Sequence, residues 1–115
     1  MKYMLLIYGN EAALQSRPKA QADETLAAYG AYVDSLQKAG VLVDRNRLQW
    51  STAATTVRLA DGKTKVLDGP YAETKEQLGG YCMIDVPDLD AALSWAARCP
   101  GASHGVIEVR PIWVM

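Results

Sequence analysis

The sequence predicts an α+β domain, a ferredoxin-like protomer with an added β-hairpin. Two observations carry that reading. Strand-like and helix-like segments follow in the order strand, helix, strand, hairpin, strand, helix, strand, the βαβ–βαβ frame with one insertion. Both helices then cover the same face of an antiparallel sheet. The opposite face is left with apolar side chains, on the order of several hundred Å², that nothing in the chain covers. Two-fold packing of two such sheets removes the exposure, so the sequence also predicts a homodimer.

Lys2 to Tyr8 is a nearly continuous apolar run closed by Gly9-Asn10, a strand covered on both faces. Ser16 to Ala39 is expected to be helical. Leu26, Tyr29, Val33 and Leu36 form its apolar stripe. The start is open between Ser16 or Arg17, ahead of Pro18, and Asp23, while Gly40 supplies the stop. "VLVDRNRLQW" reads as the second strand. "TTVRLADGKTKVLD" reads as a hairpin turning at Asp61-Gly62, where positive φ is needed. "GYCMIDV" is the next strand. Asp88 then caps a helix whose buried stripe is expected to be Leu89, Leu93, Ala96 and Ala97, with Asp90 complementing its dipole. Pro100-Gly101 ends that helix, and "GVIEVRPIWV" is the last strand.

With 115 residues, half of them apolar and 22% charged, the chain fits one domain spanning 1–115 with a single core. A net charge of −1 without a Lys/Arg block argues against direct nucleic-acid binding. The opening apolar run is too short for a leader, and no segment approaches a membrane span. Cys82 and Cys99 share no CxxC spacing, so they are expected to be reduced core thiols in a cytoplasmic protein. One His and two distant Cys make no zinc constellation, so no metal is expected. The Walker A, G-x-G-x-x-G and G-x-S-x-G motifs are absent, and no cofactor is expected.

The chemistry-bearing stretch is "VLDGPYAETKEQLGGYCMIDV". Asp68-Gly69-Pro70 is turn sequence, because Asp bonds its downstream backbone, Gly tolerates unusual φ, and Pro restrains its predecessor. Asp68 reads as architecture alone or as a carboxylate that also faces a pocket. Tyr71 packs its ring or offers its hydroxyl. Thr74 to Gln77 fits a T-x-x-Q capping box for one helical turn ended by Gly79-Gly80. Glu73, Lys75 and Glu76 form a solvated cluster, or else Glu73 and Lys75 line a cleft mouth beside Asp68. The whole connection is expected to be ordered, with Asp68 and Tyr71 facing inward. Glu108 and Arg110 share one face of the last strand about 6–7 Å apart. They suit a surface ion pair, or an Arg fork held ready for an anionic ligand. His104, in "GASHG", reads as a solvated loop residue.

"DGPYAETKEQLGGYCMIDVPDLDAAL" resembles the signature of the DGPF subgroup of the YCII-related family, with Tyr71 where that signature has Phe. "MKYMLLIYG", "AYGAYVDSLQKAGVL", "LQWSTAATTVR" and "AARCPGASHGVIEVRPI" resemble the family's opening strand, first helix, central region and closing segment. The resemblance implies a dimeric α/β-barrel of ferredoxin-like protomers. It also implies a regulatory association with an extracytoplasmic-function sigma factor. Some relatives are suspected enzymes with a His and an Asp in one cleft, but the matching His position is Tyr29 here. That pair does not carry over. The expected function is therefore a small-molecule-binding or regulatory module, with Tyr71, Lys75 and Arg110 as ligand contacts. The alternative is a small enzyme using Asp68 with Tyr29 or Glu73 as acid and base.

Overall fold

The computed structural model describes all of residues 1–115. Strand β1 (Lys2–Gly9) leads into a short helix α1 (Glu11–Ser16) and a long helix α2 (Lys19–Lys38). Strand β2 (Leu42–Arg47) and a 3₁₀ turn at Ser51–Ala53 precede the hairpin β3 (Thr55–Ala60) and β4 (Lys63–Asp68). Strand β5 (Gln77–Asp85), helix α3 (Leu89–Arg98), a 3₁₀ turn at Pro100–Ser103 and strand β6 (Val106–Pro111) complete the chain. The main sheet has the order β2-β5-β1-β6, with every neighbouring pair antiparallel. This is the ferredoxin-like frame, and the β3–β4 hairpin forms a separate two-stranded sheet.

The expected first helix is two helices. Arg17 lies before Pro18 and is extended, with ψ 151°, as crowding by the proline ring requires. Helix α2 therefore starts at Lys19, the earlier of the two expected starts. Helix α1 was not foreseen. Its cap is Asn10, whose side chain accepts from the Ala13 N–H at 2.9 Å.

The core lies between the helices and one sheet face: Tyr3 and Leu5 of β1, Cys82 and Ile84 of β5, Tyr32 and Leu36 of α2, Ala92 and Ala96 of α3. Two expected stripes need correction. On α2 the buried residues are Tyr32, Val33 and Leu36, with Tyr29 half-buried, whereas Leu26 is 65% exposed. The N-terminal half of α2 is largely solvated, so a residue of the right period there finds no sheet beneath it. On α3 the face toward the core is Ala92 and Ala96, flanked by Trp95, while Leu89, Leu93 and Ala97 are exposed. The register is set by Tyr32 and Trp95. The Tyr32 hydroxyl donates to the Trp95 carbonyl at 2.7 Å, and the two rings meet edge-on with centroids 6.3 Å apart. Asp88 caps α3 as expected, accepting from Ala91 N–H at 2.9 Å.

The hairpin turns at Asp61-Gly62, with φ of 51° and 73°, the paired positive values of a type I′ turn. No helix covers it. Val57, Leu59 and Val66 alternate onto one of its faces and are each more than half exposed.

Candidate functional site

The sheet's second face has no helix over it, and its composition follows from strand register. One row across the strands reads Asp44, Met83, Met4, Arg110. The next reads Asn46, Tyr81, Leu6, Glu108, and a third places Tyr8 between Leu78 and Val106. At about 4.8 Å between strands each full row is roughly 15 Å wide. The result is an apolar, aromatic and thioether centre between two polar rims.

Each rim is internally bonded. On the β2 side the Tyr81 hydroxyl donates to Asp44 Oδ2 at 2.8 Å and accepts from Asn46 Nδ2 at 2.9 Å. On the β6 side Arg110 is ion-paired with Glu108. Glu108 Oε2 is covered from solvent and has only that guanidinium beside it. The surface ion pair expected for these two is therefore present. A flat apolar molecule would lie on Met4, Leu6, Tyr8 and Met83, with its oxygen substituents meeting the tyrosine–amide rim or the guanidinium. Strand alternation around Cys82 and Ile84 already places Tyr81 and Met83 on this face. Asp44 and Asn46 alternate in "VDRNR" in the same way, which is the sequence signal for the polar rim.

That loop differs from expectation. Asp68 ends β4 opposite Thr55, exposed, with no side-chain hydrogen bond or ion pair. The turn is held instead through the backbone of Gly69, at φ 100°. Its N–H donates to Ala54 O at 2.7 Å and its carbonyl accepts from Thr56 Oγ1 at 2.8 Å. Tyr71 does not face inward. It is 78% exposed, with the Arg58 guanidinium 5.6 Å from its ring centroid. Glu73 and Lys75 are exposed and unpaired. No helical turn forms at Thr74–Gln77, because Gln77 already belongs to β5. Its amide donates to Thr74 O, and its Oε1 accepts from the Glu11 N–H at 3.0 Å. Gln77 thus caps α1 rather than a turn of its own loop.

Tyr29 lies on the helix side. Its hydroxyl is 3.7 Å from Cys99 Sγ and packs against Gly101. Burial first, then the Cys99 thiol beside it, pushes its pKa up, so it is a poor proton donor or acceptor near neutral pH. No hydrogen bond or ion pair joins Asp68, Tyr29 and Glu73. Both cysteines are buried, and burial pushes the Cys82 thiol up to about 11. No three His, Cys, Asp or Glu side chains converge as a metal site would need. His104 is exposed and borders a polar groove beside α1 and α2.

Comparison with known proteins gives the family. The YCII-related domain family matches residues 1–115. The chain belongs to the YCII-related domain family. A relative from Rhizobium meliloti (strain 1021), "Uncharacterized protein R00369", is 40% identical over 114 residues, covering 97% of this chain and 92% of its own. Among solved structures, this YCII-related chain is similar to 5-chloro-2-hydroxyhydroquinone dehydrochlorinase (TftG) from Burkholderia phenoliruptrix AC1100, in complex with 2,5-dihydroxybenzoquinone. The TM-score is 0.57 at 16% identity, over 98% of this chain and 94% of that one, which speaks for the fold. No helix of the YCII-related chain is long and apolar enough to cross a membrane.

Proposed function

We propose that this YCII-related protein is a small-molecule-binding module that works as a homodimer, with two open sheet faces closing into a barrel around a ligand chamber. The observation that carries the reading is an excess of exposed surface. The chain exposes 8096 Å², whereas a compact monomer of 12.5 kDa exposes about 6,200 Å². The difference, about 1,900 Å² per chain, lies in the range of obligate homodimer interfaces. The open sheet face and the exposed apolar face of the β3–β4 hairpin are the surfaces on which to bury it. In this reading the Asp44–Tyr81–Asn46 and Glu108–Arg110 groups border the chamber and orient what enters.

The ligand class that suits this lining is a small, flat, oxygenated aromatic. Tyrosine and methionine side chains give adaptable apolar contact, and the rims supply a few placed polar groups. The quinone-type ligand named for TftG is of the same kind and supports the choice. A thermal-shift series with hydroquinones and 2,5-dihydroxybenzoquinone tests it. Stabilisation of the wild type that is lost in Tyr81→Phe supports the reading, and equal melting with and without every compound contradicts the ligand class. A regulatory association with an extracytoplasmic-function sigma factor belongs to the same proposal and comes from the DGPF-type signature. Co-purification with such a factor from the native host supports it, and its consistent absence removes it.

A further inference from the structure

We propose that the groove between α1, the N-terminal half of α2 and the loop holding His104 binds a small hydroxycarboxylate. This groove lies on the helix side, apart from the open sheet face, and its volume is about 310 Å³. That is the small end of the roughly 300–1,000 Å³ range of ligand sites. Arg17, Gln21 and Thr25 line it at four-residue intervals, Asn10 and His104 face them, and Ala13 and Leu14 supply an apolar patch.

The argument for an anion begins with Arg17. Its residue is half-buried, yet the chain's ion pairs are Met1–Asp85, Lys38–Asp34 and Arg110–Glu108. Arg17 therefore lines the groove with no carboxylate within ion-pair distance, and no Asp or Glu lines the groove. An unpaired fork of donors suits a carboxylate from outside.

The remaining polar atoms select a hydroxyl as the second group. Asn10 Oδ1 is used by the Ala13 N–H, so Asn10 offers its NH₂. The Thr25 hydroxyl donates to Gln21 O at 3.1 Å, so its oxygen is left to accept. The Ser103 hydroxyl donates to Pro100 O at 2.9 Å while lying 3.2 Å from His104 Nδ1. With the serine proton committed, Nδ1 is the donor in that contact, and Nε2 of neutral His104 is left as an acceptor. The groove thus presents donors at Arg17 and Asn10, acceptors at Thr25 and His104, and between them the Gln21 amide, which offers both. A short chain with a carboxylate at one end and a hydroxyl at the other matches that set. Its methylenes would lie on Ala13 and Leu14.

The test is an NMR titration of the wild-type protein with 4-hydroxybutyrate, butyrate, 1,4-butanediol and inorganic phosphate. The expected result is saturable shifts around Arg17, Thr25 and His104, with 4-hydroxybutyrate binding about tenfold tighter than butyrate, the worth of one well-placed hydrogen bond. Arg17→Gln should weaken 4-hydroxybutyrate by about tenfold or more. His104→Ala should remove its advantage over butyrate. Excess 2,5-dihydroxybenzoquinone, the probe of the open sheet face, should leave 4-hydroxybutyrate binding unchanged. Undiminished binding in Arg17→Gln, equal affinity for butyrate, or equal Arg17-dependent binding of phosphate would each overturn the assignment. So would displacement of 4-hydroxybutyrate by that quinone, which would place the ligand on the sheet face.

Discussion

Tyr29, Cys82 and Cys99 show how far burial governs the reactive side chains of this protein. Desolvation pushes the Cys82 thiol up to about 11 from an ordinary 9.0, with the Cys99 thiol adding to it. Cys99 and Tyr32 also move up, each chiefly through burial. A folded state that holds these protons longer than the unfolded chain is stabilised below pH 9. It loses that contribution as pH rises through 11. Urea midpoints should therefore be flat from pH 7 to 9 and fall by pH 10.5, less steeply in Cys82→Ala. An unchanged midpoint at pH 10.5 would contradict the burial. Both thiols should also resist a thiol reagent at neutral pH until the protein unfolds. At Gly101, a Cβ would stand 2.5 Å from the Tyr29 hydroxyl and 3.1 Å from Ile7 Cγ2. Gly101→Ala should cost about 1–3 kcal/mol by overpacking, read as a lowered denaturation midpoint that Gly101→Ala/Tyr29→Phe partly restores. The buried cysteines were legible from their apolar surroundings. The outward pose of Tyr71 was not, because turn residues and a cation beside an aromatic ring look the same in sequence whether they face a pocket or water.

At the scale of elements, three connections meet at one end of the sheet and are tied by Glu11. Its carboxylate accepts from the Ser51 N–H at 2.7 Å and from Ser51 Oγ at 2.6 Å. Its own N–H is held by Gln77, and Leu48 N–H bonds Gly79 O at 2.9 Å. Hydrogen bonds to a charged group contribute about 1.5–3 kcal/mol. Glu11→Ala should therefore lower stability by roughly that amount, and it should speed proteolysis within 48–76. Protease resistance equal to wild type would mean the clamp is idle. Element order and the hairpin turn were legible because periodicity and the Asp-Gly pair are local signals. The clamp was not, since it joins residues 40 and 66 positions apart. Of the expected α3 stripe only Ala96 is buried, for a related reason. Leu89 and Leu93 are more hydrophobic than Ala92 and Ala96, but close approach of the helix to the sheet favours the smaller pair, and Tyr32 with Trp95 sets the rotation.

The whole molecule is thin for its mass. It spans 48 × 44 × 18 Å with a radius of gyration of 16.1 Å, against about 13 Å for a compact domain of this length. The projecting hairpin and the one-sided sheet both contribute, and each exposes apolar side chains. Sedimentation equilibrium at micromolar concentration, on the wild type and on Leu6→Lys at the centre of the open face, tests the dimeric account most directly. The wild type should sediment at twice the 12.5 kDa chain mass. Leu6→Lys should sediment as a folded monomer or show a large loss of stability. A wild-type protein that sediments at the single-chain mass, or a Leu6→Lys variant that remains a fully stable dimer, would contradict it.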